Sequence, residues 1–358
     1  MKVRRLDRSL IGWAGSTLAV LLFTASMAAA DEPQRSVLVL TTTNDPAANE
    51  LVVFKLQTSS APALTFVEAL PTGGEGGAST NAGILQFAGD LGAVANYGSN
   101  SVSRIVRYGD DVGVAEPIKL APGCLKPDSV ALGDAHLYVV GATCAESHSW
   151  PSGTLDGATV ALKDPSAAQI AVGRTWGAVT LSSGSVLQLQ LTPRGALNGL
   201  TAPVPLPSDA SSVPLGAAFW RDVLGFTPAH SPNSFAIVDA ERNVYPILGP
   251  APPYPSNAPC WVAKGPGNAW YTGNSPGQAI SIFFTDDRGG VFYKSIALPG
   301  VPTDVAVSAD RKWLAAIYTA SGNGYVAVFA INAYGDLALA ATSEPVGIAG
   351  FNGVAMSE

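Results

Sequence analysis

The sequence predicts an all-β fold, a seven-bladed β-propeller that is closed by its C-terminal strand in the first blade. Three observations support this prediction. After Arg35 the 358-residue chain consists of short β-rich runs separated by Gly, Pro, Asn and Ser, without sustained helical periodicity. These runs recur in a fixed order. The first copy is incomplete, and a lone strand near the C-terminus supplies what it lacks.

The repeating unit is an apolar strand, a tight turn, a second strand that ends in a polar loop, a third strand and a variable fourth strand. Its clearest copies are residues 83–108, 260–292 and 302–337. Weaker copies begin near Pro127, Ala168 and Pro214. Removing the first 30 of 358 residues leaves 328, so seven units have a period of about 47, within the ~40–50 residues of four-stranded propeller blades.

The two ends of the chain predict how the ring closes. Residues 37–56 contain only the second and third strands of a unit, whereas residues 348–356 form a single strand that fits the vacancy. Closure in this way leaves no long free edge that would favour aggregation. The alternative is an open sandwich of two domains, which does not predict the recurring loop after the second strand. The chain lacks the W-D and G-H signatures of WD40 blades.

The first 30 residues read as a signal peptide. Lys2, Arg4, Arg5 and Arg8 precede an apolar stretch, and small residues follow up to Ala30. The stretch is shorter than the ~20 residues of a membrane span, although an uncleaved anchor is an alternative. We therefore expect residues 31–358 to form one exported propeller, in the periplasm or outside the cell.

The charge of the predicted mature chain limits its partners. Residues 1–30 hold four of the 20 basic and one of the 27 acidic residues, so 16 basic and 26 acidic residues remain, a net charge of −10. Without a run of Lys and Arg, we expect no nucleic-acid partner and no membrane partner beyond the signal peptide. A small-molecule ligand or a protein partner is expected, for a monomeric chain. Anionic small molecules are not excluded, because a few arginines in one cleft can bind them.

An exported chain with three cysteines is expected to contain one disulfide bond. Cys124 precedes the first strand of the third blade, and Cys144 follows its second strand. Because strand direction alternates, both lie on one face at neighbouring strands, which predicts a Cys124–Cys144 bond. Cys260, which enters the sixth blade, should then be a free, buried thiol.

Four segments carry a resemblance to a known family. They are TNDPAANELVVFKL (43–56), PTGGEGG (71–77), ANYGSNSVS (95–103) and APCWVAKGPGNAWYTGNS (258–275). Together they resemble the exported lactonase-like seven-bladed propellers, which are related to bacterial 6-phosphogluconolactonase and fungal carboxymuconate-lactonising enzyme. The resemblance is faint from Trp150 to Pro255. It implies a propeller with a ligand site at the central mouth, and it implies activity less securely than fold.

Strand alternation predicts which loops surround this mouth. The loop entering the first strand of each blade and the loop between its second and third strands lie on the same face. Opening a lactone requires a carboxylate or imidazole that activates water. We expect Asp45 or Glu50 to act as the base, with His230 or His148, both expected in loops, as its partner. The expected ligand-binding residues are Tyr97, Asn100 and Asp304.

Each of these residues also has a structural interpretation. Asp45 is an ordinary turn former, Asp304 a loop cap, and the histidines solvated loop residues. Lys and Arg are nearly absent from these loops, so the predicted ligand is neutral or weakly charged, such as a lactone or a sugar-like molecule. Asp45, Glu50 and Asp304 could form a calcium site, but the sequence has no D-x-D-x-D spacing to support one. We therefore expect no metal and no cofactor. The alternative function is a non-catalytic propeller that binds a ligand or a protein.

Overall fold

The structure is a computed structural model that describes residues 36–79, 81–230, 233–249, 258–286, 288–345 and 350–358. The predicted signal peptide lies outside these residues. In chain order the first strands are β1 (Val37–Thr42), β2 (Glu50–Gln57), β3 (Ala63–Pro71), β4 (Leu85–Ala88), β5 (Leu91–Asn96), β6 (Ser101–Tyr108), β7 (Asp111–Val114), β8 (Ile118–Lys119), β9 (Pro127–Leu132), β10 (His136–Gly141), β11 (Cys144–Ser149), β12 (Val160–Ala161), β13 (Ala167–Val172), β14 (Trp176–Leu181) and β15 (Ser185–Leu191).

The remaining strands are β16 (Leu197–Leu200), β17 (Pro214–Trp220), β18 (Val223–Pro228), β19 (Asn233–Val238), β20 (Val244–Leu248), β21 (Pro259–Lys264), β22 (Ala269–Asn274), β23 (Ala279–Asp286), β24 (Gly289–Ala297), β25 (Val301–Val307), β26 (Trp313–Ala320), β27 (Asn323–Ile331), β28 (Leu337–Thr342) and β29 (Asn352–Ser357). No helix in the described part of the chain is long and apolar enough to cross a membrane.

These strands form seven antiparallel sheets, one per blade. The blades have the strand orders β29-β1-β2-β3, β4-β5-β6-β7 with β8 added beside β6, β9 to β12, β13 to β16, β17 to β20, β21 to β24 and β25 to β28. The innermost strands contact one another in the cyclic order β29, β4, β9, β13, β17, β21, β25 and back to β29. This closed cycle confirms the predicted seven-bladed propeller.

The core lies between the blades, because each sheet buries both faces. Between the last and first blades, Val39 and Phe54 pack against Ile317 and Val328. Phe351, just before β29, lies edge-on to Phe54 with ring centroids 6.1 Å apart. Apolar side chains on both sides of a strand give the continuous apolar runs seen in the sequence, since neither face meets water.

The C-terminal strand closes the ring as predicted. β29 pairs with β1 from Leu38 opposite Ser357 to Thr41 opposite Val354. In the second blade, the buried Arg107 donates to the Ser357 hydroxyl at 3.1 Å and to the Ser36 carbonyl at 2.5 Å. One side chain therefore holds both strand ends of the first blade.

Removing residues 346–358 should open the ring, because β1 then loses its hydrogen-bonded neighbour and presents a free edge. We expect a lower unfolding midpoint and concentration-dependent aggregation, measured by thermal unfolding and light scattering. A peptide of residues 346–358 added in excess should partly restore the midpoint. A truncated chain that unfolds like the full chain would contradict closure by β29.

Candidate functional site

β-Bulges near the start of the innermost strands shape the mouth of the propeller. In the sixth blade Pro259 pairs with Asn274 and Trp261 with Gly273, which leaves Cys260 unpaired. In the same way the register skips Thr303 in the seventh blade and Asp128 in the third. Bulges commonly redirect a side chain out of the ladder. Here they place non-equivalent side chains, a thiol, a hydroxyl and a carboxyl, at corresponding positions of three blades.

Residues 81–83 lie across the axis between the mouth and the channel below it. The Asn81 amide donates to the Asp128 carbonyl of the third blade at 3.0 Å, and the Asn81 carbonyl accepts from the Trp261 indole of the sixth blade at 3.2 Å. The Ala82 N–H donates to the Ala168 carbonyl of the fourth blade at 3.0 Å. A segment that bonds to the adjacent third and fourth blades and to the sixth blade across the ring must pass over the centre.

Gly83 is required where this segment enters the second blade. Its φ is +67°, and a Cβ atom there would lie 2.7 Å from the Gln169 amide nitrogen. Only glycine combines this backbone conformation with such a close approach. Below it, the innermost strands of all seven blades line a channel of about 280 Å³.

A cavity of about 460 Å³ opens at the mouth, above this segment. Its described wall comes from bulges and from the loops that strand alternation predicted, and consists of Thr43, Asn44, Ser79, Asn81, Leu215, Cys260, Trp261, Ser275, Thr303, Thr319, Gly350, Phe351 and Asn352. Among these residues only the Cys260 thiol titrates. Small-molecule sites are typically concave, with apolar walls and a few polar groups, and the cavity has this character.

The Thr303 hydroxyl is a buried polar group of this wall without a hydrogen-bond partner among the described residues. Its Oγ1 is inaccessible to bulk solvent and has no hydrogen-bond partner among the described residues. Most buried polar atoms in proteins are hydrogen-bonded, and an unpaired one costs about 1–3 kcal/mol. A ligand in the cavity that bonds to Thr303 would recover this energy.

Cys260 contributes a thiol to the same wall but not a reactive one. It is the free cysteine of the chain, as expected, but the residue is half-buried rather than buried, and its Sγ donates to the Ala258 carbonyl at 3.4 Å. Burial raises the pKa of this thiol to about 11. The nucleophilic thiolate is therefore scarce at neutral pH, and Cys260 acts here as an apolar surface.

Asp128 is an acid at the mouth that the sequence interpretation missed. It is 6% exposed, its Oδ1 has no hydrogen-bond partner, and burial raises its pKa to about 7, opposed by the nearby Lys126. Its backbone carbonyl is bonded to Asn81 of the cavity wall. A buried acid with a pKa near neutrality beside a cavity is a candidate acid–base group.

Asp304, the second buried acid, joins three blades at the top of the channel. Its Oδ1 accepts from its neighbour Val305 at 2.8 Å, and its Oδ2 accepts from Val354 of the first blade at 3.1 Å. Gly83 of the second blade donates to it as well. Desolvation raises the pKa of Asp304 to about 7 despite these hydrogen bonds. Its contacts fit a positioning role in the ring.

The three residues predicted to be catalytic do not line the cavity. Asp45 is exposed and accepts from the Ala47 N–H at 2.7 Å, as expected of a turn former. Glu50 begins β2, and the Thr43 hydroxyl bonds to its backbone N–H. His230 lies exposed in the turn after β18. Asp45 lies in the loop before β2 and Glu50 at the start of that strand, and the structure does not join them to His230.

Tyr97 and Asn100, the predicted ligand-binding residues of the second blade, come together around Lys126. The Asn100 side-chain oxygen accepts from the Lys126 N–H at 2.7 Å, and the Lys126 ammonium lies 5.6 Å from the centre of the Tyr97 ring. Lys126 is exposed and is two residues from Asp128. The mouth therefore has one cation beside its acid, a pair that the sequence interpretation did not combine.

His148 lies in a strand, which corrects the expectation that it lies in a loop. In β11 it is 1% exposed, and its Nε2 is 2.8 Å from a carboxylate oxygen of the buried Glu146. Its Nδ1 faces the Gly153 carbonyl at 3.0 Å. Side chains two positions apart in a strand point to the same face, so Glu146 and His148 bond to each other inside the blade. This buried pair does not line the cavity at the mouth.

The structure contains a Cys124–Cys144 disulfide, with Cα atoms 5.2 Å apart. Among the described residues, the cluster of His, Cys, Asp and Glu side chains close enough to share a metal ion is Cys124, Cys144 and Glu146. Because its two sulfurs are bonded to each other, they are not available as thiolate ligands. Asp45, Glu50 and Asp304 do not form such a group.

Comparisons with solved structures support the fold. A protein from Lactobacillus plantarum is 13% identical over 90% of this chain and 100% of its own, with a TM-score of 0.64. A streptogramin B lyase is 17% identical over 78% of this chain and 87% of its own, with a TM-score of 0.57. A chain of the mitotic checkpoint complex is 14% identical over 96% and 89%, with a TM-score of 0.58.

The sequence matches no known family and no curated protein. Structural similarity at these identities establishes a shared fold and nothing more. The seven-bladed propeller is therefore established. The resemblance to lactonase-like propellers stays a prediction.

Replacing both Cys124 and Cys144 with Ser should lower the free energy of unfolding by about 3 kcal/mol, because the bond closes a loop of 20 residues in the unfolded chain. Urea denaturation measures this change, with Cys260→Ser as the control that leaves the bond intact. Peptide mapping without reductant should find Cys260 alone alkylated after denaturation. Alkylation of Cys124 and Cys144 would reject the pairing.

The two buried acids predict a pH dependence of stability. Their folded-state pKa values near 7 exceed the usual value of 3.8. The folded protein therefore binds these protons more tightly than the unfolded chain, and their contribution is complete below pH 4 and is lost as the pH rises through 7. The expected loss is a few kcal/mol.

Urea denaturation at pH 5 and pH 8 tests this dependence. The free energy of unfolding of Asp128→Asn should fall less between pH 5 and pH 8 than that of the unmodified protein, because the amide never ionises. Asp304→Asn should flatten the pH dependence in the same way, even if its lost backbone hydrogen bond lowers stability at both pH values. The exposed Asp286→Asn is the control. Equal pH slopes in all four proteins would contradict the shifted pKa values.

Proposed function

We propose that this protein is a binding propeller that holds a neutral small molecule, such as a lactone or a sugar-like compound, in the cavity at its mouth. The single observation that carries the proposal is the chemistry of the cavity wall. Within the described residues, the wall combines Trp261, Phe351 and Leu215 with uncharged hydrogen-bonding groups. The Thr303 hydroxyl, which has no hydrogen-bond partner among the described residues, is the polar group that we expect a molecule in the cavity to bind.

Charge favours a neutral ligand over an anion. The described wall of the cavity contains no Lys or Arg that could pair with an anion, and the predicted mature chain has a net charge of −10. An anion in a narrow opening would be repelled at close range by ionised acids. A neutral ligand avoids this repulsion and still bonds to Thr and Asn side chains.

The structural neighbours are compatible with a small-molecule site on this scaffold. One of them is a streptogramin B lyase. Propellers also occur in protein assemblies, as the mitotic checkpoint complex illustrates. We favour the small molecule here because the cavity is concave and holds about 460 Å³. Export to the periplasm or beyond is part of the proposal and depends on residues 1–30.

Tryptophan fluorescence provides the binding experiment, because Trp261 lies in the cavity wall. The purified chain is titrated with neutral lactones and monosaccharides. Thr303→Val, which keeps the shape but removes the hydroxyl, should weaken binding by about 5- to 10-fold, the equivalent of one hydrogen bond. The exposed Thr201→Val is the matched control. No ligand-dependent change with any compound, or equal weakening in both variants, would contradict the proposal.

A second candidate function is lactone hydrolysis, which the orphan oxygen and raised pKa of Asp128 favour. In this case Asp128 activates water, and Lys126 stabilises the negative charge that develops on the carbonyl oxygen. The predicted acid–base residues Glu50 and His230 are the competing candidates for the same role.

Measuring hydrolysis across a lactone panel separates these candidates. If Asp128 is the base, Asp128→Asn should lower turnover by at least ~100-fold, whereas Glu50→Gln and His230→Ala should leave it unchanged. Loss of turnover in Glu50→Gln or His230→Ala would instead restore the assignment made from the sequence. Binding without turnover in the unmodified protein would reject hydrolysis and leave the binding proposal intact.

A further inference from the structure

The face opposite the mouth differs in charge between its two halves. On this face a turn joins the first and second strands of each of the six blades that are continuous in sequence. The turns carry Asp90 and Asp134 in the second and third blades. They carry Arg174 in the fourth blade, Arg221 beside Asp222 in the fifth, and Arg311 and Lys312 beside Asp310 in the seventh. The arginines are separated by at least 47 residues in sequence. The fold brings them onto one side of a chain that is acidic overall.

A cleft of about 500 Å³ lies on this face between the third, fourth and fifth blades. Three arginines line it: Arg174, Arg221 and Arg194, the last from the turn between β15 and β16. The other titratable groups in its wall are Asp134, His136 and Tyr138. The cleft is therefore a concave site with an excess of guanidinium groups, on the opposite side of the disc from the mouth.

Hydrogen bonds between blades hold two of these turns together. The Arg174 N–H donates to the Arg221 carbonyl at 3.2 Å, and the Trp176 indole donates to the Asp222 carbonyl at 3.1 Å. At Gly173 a Cβ atom would lie 2.6 Å from the Phe219 ring, so the turns are in close contact. The arginines of the fourth and fifth blades are thus attached to a rigid base.

The turn that carries Arg194 is fixed in the same manner. His136 bonds through Nε2 to the Arg194 carbonyl at 2.7 Å and through Nδ1 to the Asp156 carboxylate at 2.8 Å. The Tyr138 hydroxyl donates to the Gly195 carbonyl at 2.6 Å. Both nitrogens of His136 face oxygen atoms, so the imidazole ring is fixed between the Arg194 turn and Asp156.

The acids near the cleft do not neutralise all three guanidinium groups. Asp222 accepts from Arg174 at 3.2 Å and from the Thr175 N–H at 2.8 Å, which occupies both of its oxygens. Within the described residues, no ion pair involves Arg194 or Arg221, and both side chains are exposed. Arg221 also has a φ of +58°, a conformation that favours Gly or Asn over Arg.

We propose that this cleft binds a small multivalent oxyanion, a di- or tricarboxylate or a phosphate compound. Guanidinium groups bind both kinds of oxyanion through paired N–H donors. Those of Arg194 and Arg221 have no ion-pair partner among the described residues, and the Arg221 group lies 5.6 Å from the centre of the Trp220 ring. Fixed turns reduce the conformational entropy lost on binding. This site is separate from the mouth. The mouth is proposed to bind a neutral molecule, whereas the cleft binds an anion.

Isothermal titration calorimetry of the purified full chain with citrate and with inorganic pyrophosphate tests the cleft at 0.15 M salt. We expect at least one probe to bind in the millimolar range or tighter, and we expect binding to weaken as salt rises. Preference for citrate assigns the carboxylate class, and preference for pyrophosphate assigns the phosphate class.

A pair of double variants separates the cleft from general charge. Arg194→Ala with Arg221→Ala should weaken binding by at least 10-fold. Lys163→Ala with Arg288→Ala removes the same charge from exposed positions outside the cleft and should change affinity by less than 2-fold. Absence of binding for both probes, or equal weakening in the two double variants, would overturn the proposal. Neutral-ligand binding at the mouth should be unaffected in either variant.

Discussion

Ring closure is the constraint on which the rest of this structure depends. Each blade buries both of its faces, so every blade needs two neighbours, and only a closed cycle provides them. Six blades are continuous in sequence, whereas the first combines β29 with β1 to β3. The two ends of the chain are thus joined by backbone hydrogen bonds and by Arg107 in the adjacent blade. The stability of the whole disc is coupled to these few contacts.

Closure also creates the channel and brings polar groups to its top. Seven innermost strands surround a narrow space, and residues 81–83 cross it at the mouth. Asp304 stabilises the same junction by accepting hydrogen bonds from three blades. The energetic cost of burying this carboxyl is visible in its raised pKa, and the backbone N–H groups that it satisfies offset part of that cost.

Bulges give the mouth its individual chemistry. A regular repeat would place identical positions of each blade around the axis with the same orientation. The skipped residues Asp128, Cys260 and Thr303 occupy corresponding sites, yet they differ in charge and hydrogen bonding. Two of them, Asp128 and Thr303, hold buried atoms without a partner. Such atoms are rare in proteins and tend to mark functional positions, and for this reason the mouth is the favoured site.

The sequence by itself determined the architecture. Recurring strands, the turn residues between them and the incomplete first unit were sufficient for the blade number, the start of each blade and the closing strand, because these features depend on local periodicity and on chain length. Strand alternation also identified the loops that form the mouth. These arguments need only the alternating direction of antiparallel strands, which every blade obeys.

Only the tertiary structure decided which side chains meet. Asp128 and Thr303 gain their importance from a one-residue shift in register, which leaves no signal in the pattern of a single strand. An alignment of PDS at 127–129 with PTD at 302–304 would place the two residues at equivalent positions. His148 entered a strand because the turn before β11 is shorter than the loop expected there. Arg174, Arg194 and Arg221 became neighbours through contacts between blades. Register and inter-blade packing are long-range properties, and local sequence does not encode them.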